Sequence, residues 1–204
     1  MQGSVDPNNL LSALHFQASG ELLHLMEGFY SNIEDGLFEV AYSSDDKVQQ
    51  RRLIELMREL RYRREHLVKT FGKRVQKSAQ EWIAEDQLTP DYLEERQQAE
   101  EIAARCSSHF GGLLQLIAER VEHATGRYFD LDRIPIGPEQ ISYHFVMSCR
   151  SVEFDTSSIA TVQDLFHRFV LERLGGVYGR INQQLEEAGY QTHMELEEAQ
   201  AHSA

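Results

Sequence analysis

The apolar residues recur about every 3.6 positions along most of the chain, the spacing of amphipathic α-helices. Residues 9–42 keep this spacing without interruption, and residues 46–84 resume it after the polar run Ser43-Ser44-Asp45-Asp46. Serine and aspartate are favoured helix-capping residues, so the run predicts the start of a second helix. The first 84 residues are therefore expected to form a helical hairpin that turns near Ser43-Ser44.

The same period predicts three more helices. The third begins at Thr89-Pro90, with threonine as N-cap and proline in the first turn, and ends at Gly126. A short helix covers residues 138–147, and a last one covers residues 158–187 before a stop at Gly189. Residues 191–204 are polar and are expected to form a frayed tail.

No alternating strand pattern of useful length interrupts these segments, so the sequence predicts an all-α fold. We expect a single all-helical domain over residues 1–204, with its packed core at about residues 9–190. Its architecture is expected to be an elongated antiparallel bundle of three long helices, with a C-terminal helix pair packed on them.

Composition and charge indicate the cellular compartment in which the protein is expected. The 204 residues include 33 acidic side chains against 20 Lys plus Arg, a formal net charge of −13. The first 46 residues contain neither Lys nor Arg, so no signal peptide is predicted, and no apolar run is long enough for a membrane span. Cys106 and Cys149 lack metal-ligand spacing. We therefore expect a reduced, cytoplasmic protein.

Several motifs together resemble a known family. These are residues 35–41 (DGLFEVA), 57–64 (MRELRYRR), 136–141 (IGPEQI), 164–171 (DLFHRFVL) and 174–178 (LGGVY). Their order and spacing resemble the proteobacterial domain-of-unknown-function family 1631, over roughly residues 28–75 and 88–190. Members are commonly several times longer, so the chain looks like a short relative or an excised core.

The resemblance implies no established activity. The label thymidine phosphorylase, which some members carry, has no supporting motif in this chain. Some long members contain a PilZ module, and the resemblance therefore implies an association with cyclic-di-GMP signalling.

The second predicted helix is strongly basic. Residues 47–77 hold eleven basic and three acidic side chains, a local balance of +8. A basic helix can bind phosphate groups, so one interpretation is that it binds nucleic acid.

The favoured alternative is that acidic side chains inside the fold neutralise the basic helix. In a hairpin in which residue i faces residue 87 − i, the expected pairs are Asp35 with Arg52, Glu27 with Arg58 and Arg61, and Glu21 with Arg64. If the turn after Ile83 is also tight, Glu94, Glu95, Glu100 and Glu101 of the third helix are expected to lie level with Lys73, Arg74 and Lys77.

Arg63 and Arg64 fall between Leu60 and Leu67 on the apolar side of this helix. A buried arginine has to be paired, so these residues either form ion pairs within the bundle or face an anion. The candidate binding residues are consequently Arg58, Arg61, Arg63 and Arg64.

Three smaller features have structural interpretations. Glu21 and His24 match the E-x-x-H spacing of di-iron bundles, but no second copy exists, so no metal is expected. Tyr178 and Asn182 lie one turn apart and are expected to form a buried hydrogen-bonded pair. The glycine pairs at 111–112 and 175–176 are expected at close helix crossings.

No phosphate-binding loop, nucleophile elbow or zinc-protease motif is present, and neither cysteine has a histidine at dyad spacing. We therefore expect a non-enzymatic regulatory or adaptor protein without cofactors, acting through helical contacts with another protein or with a second copy of itself. The alternative is a module for an anionic ligand or nucleic acid, although the overall negative charge disfavours nucleic acid.

Overall fold

The computed structural model describes residues 6–82, 92–152, 154 and 156–203, and every regular element in these ranges is helical. The described residues form seven α-helices, which we number in chain order. They are α1 (Pro7–Ser43), α2 (Lys47–Lys77), α3 (Leu93–Thr125), α4 (Pro138–Cys149), α5 (Thr156–Phe169), α6 (Leu174–Glu187) and α7 (His193–Ser203). The all-α prediction is confirmed.

Capping residues set the ends of the first hairpin. The side chain of Asp6 accepts a hydrogen bond from the Asn8 amide at the start of α1. That of Asp46 accepts one from the Val48 amide, as its position in the sequence predicts. The second helix ends earlier than expected, because the chain tightens into a 3-10 turn from Ser78 to Trp82. The predicted start at Thr89-Pro90 lies outside the described residues.

Helix α4 is the centre of the molecule. Every residue of α4 except Glu139 is buried, and α2 and α3 each pack against α4 far more extensively than against each other. The rings of Phe145 and Phe166 are stacked 3.9 Å apart, and Phe29 of α1 meets each of them edge-on. These contacts join α1, α4 and α5 in one hydrophobic core. Because α4 lies between them, the acidic side chains of α3 do not face α2 as expected, and Glu95 pairs with Arg150 instead.

The long helix expected over residues 158–187 is two helices. The α-helical pattern ends after Phe169, and a 3-10 turn from Leu171 to Arg173 connects α5 to α6. This break lets α5 pack on α1 while α6 packs on α3. Gly175, just after the break, faces Phe110 of α3 so closely that an added Cβ would lie 3.2 Å from its ring. The predicted stop is correct, since Gly189 has a left-handed φ of 89°.

The expected frayed tail is instead helix α7. Thr192 and Glu195 form a capping box, in which the Thr192 amide donates to the Glu195 carboxylate and the Glu195 amide donates to the Thr192 hydroxyl. Arg120 of α3 is buried and also donates to Glu195, at 2.9 Å. This ion pair holds the start of α7 against the bundle.

No helix within the described ranges is both long and apolar enough to cross a membrane.

Candidate functional site

The α1–α2 hairpin carries the predicted binding residues, but in a register different from the expected one. Arg61 forms a two-pronged ion pair with Glu34, with a distance of 2.8 Å from Nε to Oε1. Arg64 donates to the Ser31 hydroxyl at 2.8 Å. In both pairs the residue numbers add up to 95 rather than 87. The expected contacts of Glu27 with Arg61 and of Glu21 with Arg64 are therefore wrong.

The shift has a geometric cause. Helix α1 continues to Ser43 and α2 begins at Lys47, so the turn is centred on Asp45 rather than before it. Side chains on a helix also lean toward its N-terminus. In an antiparallel pair, each contacting residue therefore lies C-terminal to the point where the side chains meet. Both effects raise the sum of the paired residue numbers.

The candidate arginines lie at the surface rather than in the apolar seam. Arg58 and Arg64 are exposed, and Arg63 is half-buried with its Nε 2.9 Å from Glu59 on the same helix. The expectation that Arg64 is a seam residue is wrong, because α2 turns it toward Ser31 at the edge of the hairpin. Asp35, the structural candidate on α1, is exposed.

Glu21, the other structural candidate on α1, is bound by α6. Two nitrogens of Arg180 donate hydrogen bonds to its carboxylate, with a distance of 2.7 Å from Nε to Oε1. His24 is exposed beside Glu27, so the E-x-x-H pair does not converge. Among the described residues, no three His, Cys, Asp or Glu side chains are grouped as metal ligands would be.

An aromatic patch lies beside the Glu34–Arg61 pair, and sequence reasoning missed it. Phe38 and Tyr42 are exposed to 58% and 84%, and their rings stack on each other 6.3 Å apart. They follow Glu34 at intervals of four residues, so they share its side of α1. The detectable signal was this i, i+4, i+8 spacing of an ion-pair residue and two aromatic residues outside the apolar stripe.

The facing side of α2 extends this patch. Ile54 is 42% exposed and lies two turns before Arg61, with Arg58 between them on the same side of the helix. Because Arg61 is bonded to Glu34, these two helix sides adjoin. We call the combined area the hairpin surface. It consists of Glu34, Phe38, Tyr42, Ile54, Arg58 and Arg61.

The electrostatics of the hairpin surface come from α2. The hydrogen bond from Arg61, followed by the charges of Arg61 and Arg64, lowers the pKa of Glu34 despite some desolvation. Glu34 therefore stays ionised and keeps Arg61 in place. Arg58 has no carboxylate bound to it among the described residues and presents its charge to solvent. The surface is thus apolar and aromatic at one side and cationic at the other.

Tyr178 and Asn182 are buried as predicted, but they do not bond to each other. The Tyr178 hydroxyl donates to the carbonyl of Ile136 at 2.9 Å, and the Asn182 amide donates to that of Leu113 at 3.0 Å. Each side chain therefore ties α6 to another part of the chain. The prediction of close crossing is confirmed at Gly175 and wrong at Gly111 and Gly112, where an added Cβ meets nothing within 4 Å.

A cleft of about 540 Å³ between α3, α4 and α5 has an apolar floor that includes Val146, Val162 and Cys149. Burial raises the pKa of Cys149 to about 11, and its sulfur lies 3.9 Å from the Tyr30 hydroxyl. A thiol with that pKa is almost entirely protonated at neutral pH and is a poor nucleophile. Cys149 therefore lacks the thiolate character of a nucleophilic cysteine.

Comparison of the chain with models of known protein families identifies the family to which it belongs. The model described as "Protein of unknown function (DUF1631) N-terminal domain" matches residues 6–189, so the chain belongs to this family, as the motifs suggested. No curated protein matches the chain. No solved structure matches it.

Proposed function

We propose that this family member is a non-enzymatic regulatory or adaptor protein that binds another protein through the hairpin surface. The observation that carries the proposal is the exposed stack of Phe38 and Tyr42 beside an ordered ion pair. Aromatic residues and arginine are the side chains most enriched in the energetic centres of protein interfaces. The Glu34–Arg61 pair also holds part of this surface in shape before binding, which reduces the ordering entropy that binding requires.

The chemistry of the surface suggests the partner. Exposed aromatic rings and Ile54 would accept the apolar side of an amphipathic helix, and Arg58 would face carboxylates at its edge. Helix α2 carries a local balance of +8 in a chain of net charge −13. An acidic helical segment of another protein is therefore the proposed ligand, and electrostatic attraction to α2 would speed its association.

Nucleic acid is the weaker alternative. Nucleic-acid affinity requires basic side chains that are available to phosphates. Arg61 and Arg63 contact carboxylates and Arg64 contacts a hydroxyl, so three of the four candidate arginines are already engaged. Within the described ranges, Arg58 is the one of the four without a bonded side-chain partner, while Arg64 is bonded to a neutral hydroxyl. This distribution favours the protein-binding proposal.

The cellular setting is likewise part of the proposal. Both cysteines are free and buried, which suits the reducing cytoplasm. A role in cyclic-di-GMP signalling rests on the association of the family with PilZ-containing members and on nothing in the geometry of this chain.

Site-specific photocrosslinking in the native cell tests the proposal. Benzoylphenylalanine would replace Phe38, Tyr42 or, as the matched control, Phe16, which is 73% exposed near the other end of α1. The hairpin positions are expected to give the same protein adduct, and the control position is expected to give none. With the purified partner, Tyr42→Ser should weaken binding at least about tenfold, the effect of losing one interface anchor, while Phe16→Ser leaves the Kd unchanged.

Two results would contradict the proposal. One is the same set of adducts from all three positions, since that indicates random collision. The other is adducts that disappear on nuclease treatment, which would transfer the function to nucleic acid.

A further inference from the structure

Buried polar nitrogens without partners lie where α2, α3 and α4 meet. Arg74 Nε of α2, Arg96 Nε of α3 and both ring nitrogens of His144 on α4 are shielded from solvent, and no described residue bonds to them. The His144 side chain is only 5% exposed. Native proteins pair nearly all buried polar atoms, so four unpaired nitrogens on three neighbouring side chains require an explanation.

The two arginines converge on the residue next to His144. The guanidinium carbon of Arg96 lies 4.2 Å from the centre of the Tyr143 ring, and that of Arg74 lies 5.8 Å from it. Burial, followed by the charges of Arg74 and Arg96, lowers the pKa of His144 to about 3. The three side chains therefore share one electrostatic environment.

Few groups offset the two positive charges. Arg96 donates a 3.3 Å hydrogen bond to the Gln140 side chain. The charge of Arg96 acts on Glu81 and Glu139, where it partly opposes the rise that burial causes in the pKa of each carboxyl. Among the described residues, however, no carboxylate forms an ion pair with Arg74 or Arg96. The neighbouring His15 adds no positive charge, because its Nδ1 accepts a hydrogen bond from Trp82 and therefore carries no proton. Arg74 Nε, Arg96 Nε and the N–H of His144 thus remain donors without an acceptor among the described residues.

We propose that Arg74, Arg96 and His144 form a binding site for a small oxyanion, either a phosphate or a carboxylate group. Such a group offers several acceptor oxygens, which match the two arginine Nε donors and the one N–H of the neutral His144 ring. One oxygen would accept from Arg74 Nε and another from Arg96 Nε. His144 would donate to the same anion from whichever ring nitrogen carries its proton.

The site is separate from the hairpin surface. Arg74 follows Arg58 by sixteen residues, about 24 Å along the axis of α2 at 1.5 Å per residue. An anion here would also contact three helices at once and stabilise their packing. The oxyanion site and the hairpin surface can therefore be tested independently.

Thermal unfolding with inorganic phosphate, acetate or chloride at equal ionic strength tests the proposal. At ten times its Kd, the bound oxyanion should raise the Tm by about 3–5 °C beyond chloride. Arg74→Gln should remove this increment, whereas Arg51→Gln, which takes one charge from an exposed part of α2 outside both proposed sites, should keep it. An increment with only one of the two oxyanions identifies the ligand class. Arg74→Lys, which keeps the charge without the Nε donor, replaces the glutamine variant if that variant does not fold.

Proton NMR of the His144 imidazole gives a second measurement. In chloride the ring should stay neutral down to about pH 4, because its pKa is about 3. Saturating oxyanion should raise that pKa by at least about one unit, since a nearby negative charge favours the protonated ring. Equal Tm increments in Arg74→Gln and Arg51→Gln, together with an unchanged His144 titration, would overturn the proposal.

Discussion

The Glu21 carboxylate and the Arg180 guanidinium form a two-pronged ion pair between α1 and α6, across 159 positions of sequence. Glu21 is thereby withdrawn from Arg64, the partner that helical-hairpin geometry alone suggested. The pair is partly shielded, with the Glu21 side chain 24% exposed and that of Arg180 54% exposed. It fixes the first half of α1 against α6, while the hairpin surface lies toward the turn.

The first prediction compares the two arginines. Arg180→Gln should lower the free energy of unfolding by up to about 1 kcal/mol, because exposed ion pairs contribute modestly even in good geometry. Arg64→Gln should leave stability almost unchanged, since the arginine is exposed and only one bond to Ser31 is lost. Urea unfolding at low and high salt measures both, and the Arg180 effect should shrink with added salt.

A double-mutant cycle with Glu21→Gln isolates the pair. The loss from Arg180→Gln should largely disappear in the Glu21→Gln background. Additive losses, or a larger loss from Arg64→Gln, would return Glu21 to the hairpin pairing.

The second prediction concerns the Tyr178 hydroxyl. Tyr178→Phe keeps the ring against Phe110 but leaves the buried carbonyl of Ile136 without its donor. That change should lower the free energy of unfolding by about 1–3 kcal/mol. Tyr128→Phe is the matched control, since Tyr128 is 81% exposed and its variant should unfold like the parent. Equal denaturation midpoints for the two variants would contradict the assigned hydrogen bond.

Local signals in the sequence predicted the elements well. The 3.6-residue period identified the helices, Asp46 marked the start of α2, and Gly189 marked the end of α6. Such signals act over one or two turns, so they are readable from one short segment at a time. The capping box of Thr192 and Glu195 was readable in the same way and was missed because the segment is polar.

The assembly of the helices could not be predicted in the same way. Periodicity shows which side of a helix is buried, but not which helix covers it. The position of α4 between α2 and α3 therefore escaped sequence reasoning, and so did the convergence of Arg74 and Arg96 on Tyr143. The hairpin surface was predicted only in part. Its arginines were identified from the sequence, whereas its aromatic residues were not.

A third prediction uses two glycines in different conformations. Gly20 lies inside α1 with nothing within 4 Å of an added Cβ, so Gly20→Ala should raise the free energy of unfolding by about 0.5–1 kcal/mol. Gly126 ends α3 with a left-handed φ of 69°, which strains residues with a side chain. Gly126→Ala should therefore destabilise by about 1 kcal/mol. Chemical denaturation of both variants checks the opposite signs, and two changes of the same sign would count against this description of the helix end.

The fourth prediction concerns pH and the single tryptophan of the chain. His15 accepts from Trp82 Nε1 at its Nδ1, 3.0 Å away, and its Nε2 lies 2.7 Å from the Val75 carbonyl. The two bonds form together only when the ring is neutral with its proton on Nε2, because Nδ1 must then be free to accept. Burial lowers the pKa of His15, and the hydrogen bond to Val75 only partly opposes this effect.

The sign of the pH effect follows from that lowered pKa. Below about pH 6.5 the unfolded chain binds a proton at His15 that the folded protein does not, so stability falls as pH decreases toward the folded pKa. The slope from His15 should not exceed about 1.4 kcal/mol per pH unit.

The fluorescence of Trp82 reports the protonation of His15 directly, because protonation replaces the acceptor of the indole N–H with a donor. Its fluorescence should change in acid at the same pH at which stability falls. His15→Gln, which keeps a polar group of similar size, should reduce the slope. His24→Gln is the control, since His24 is exposed on the same helix and its removal should leave the pH profile of Trp82 intact. An unchanged profile in His15→Gln would show that another group controls the acid transition.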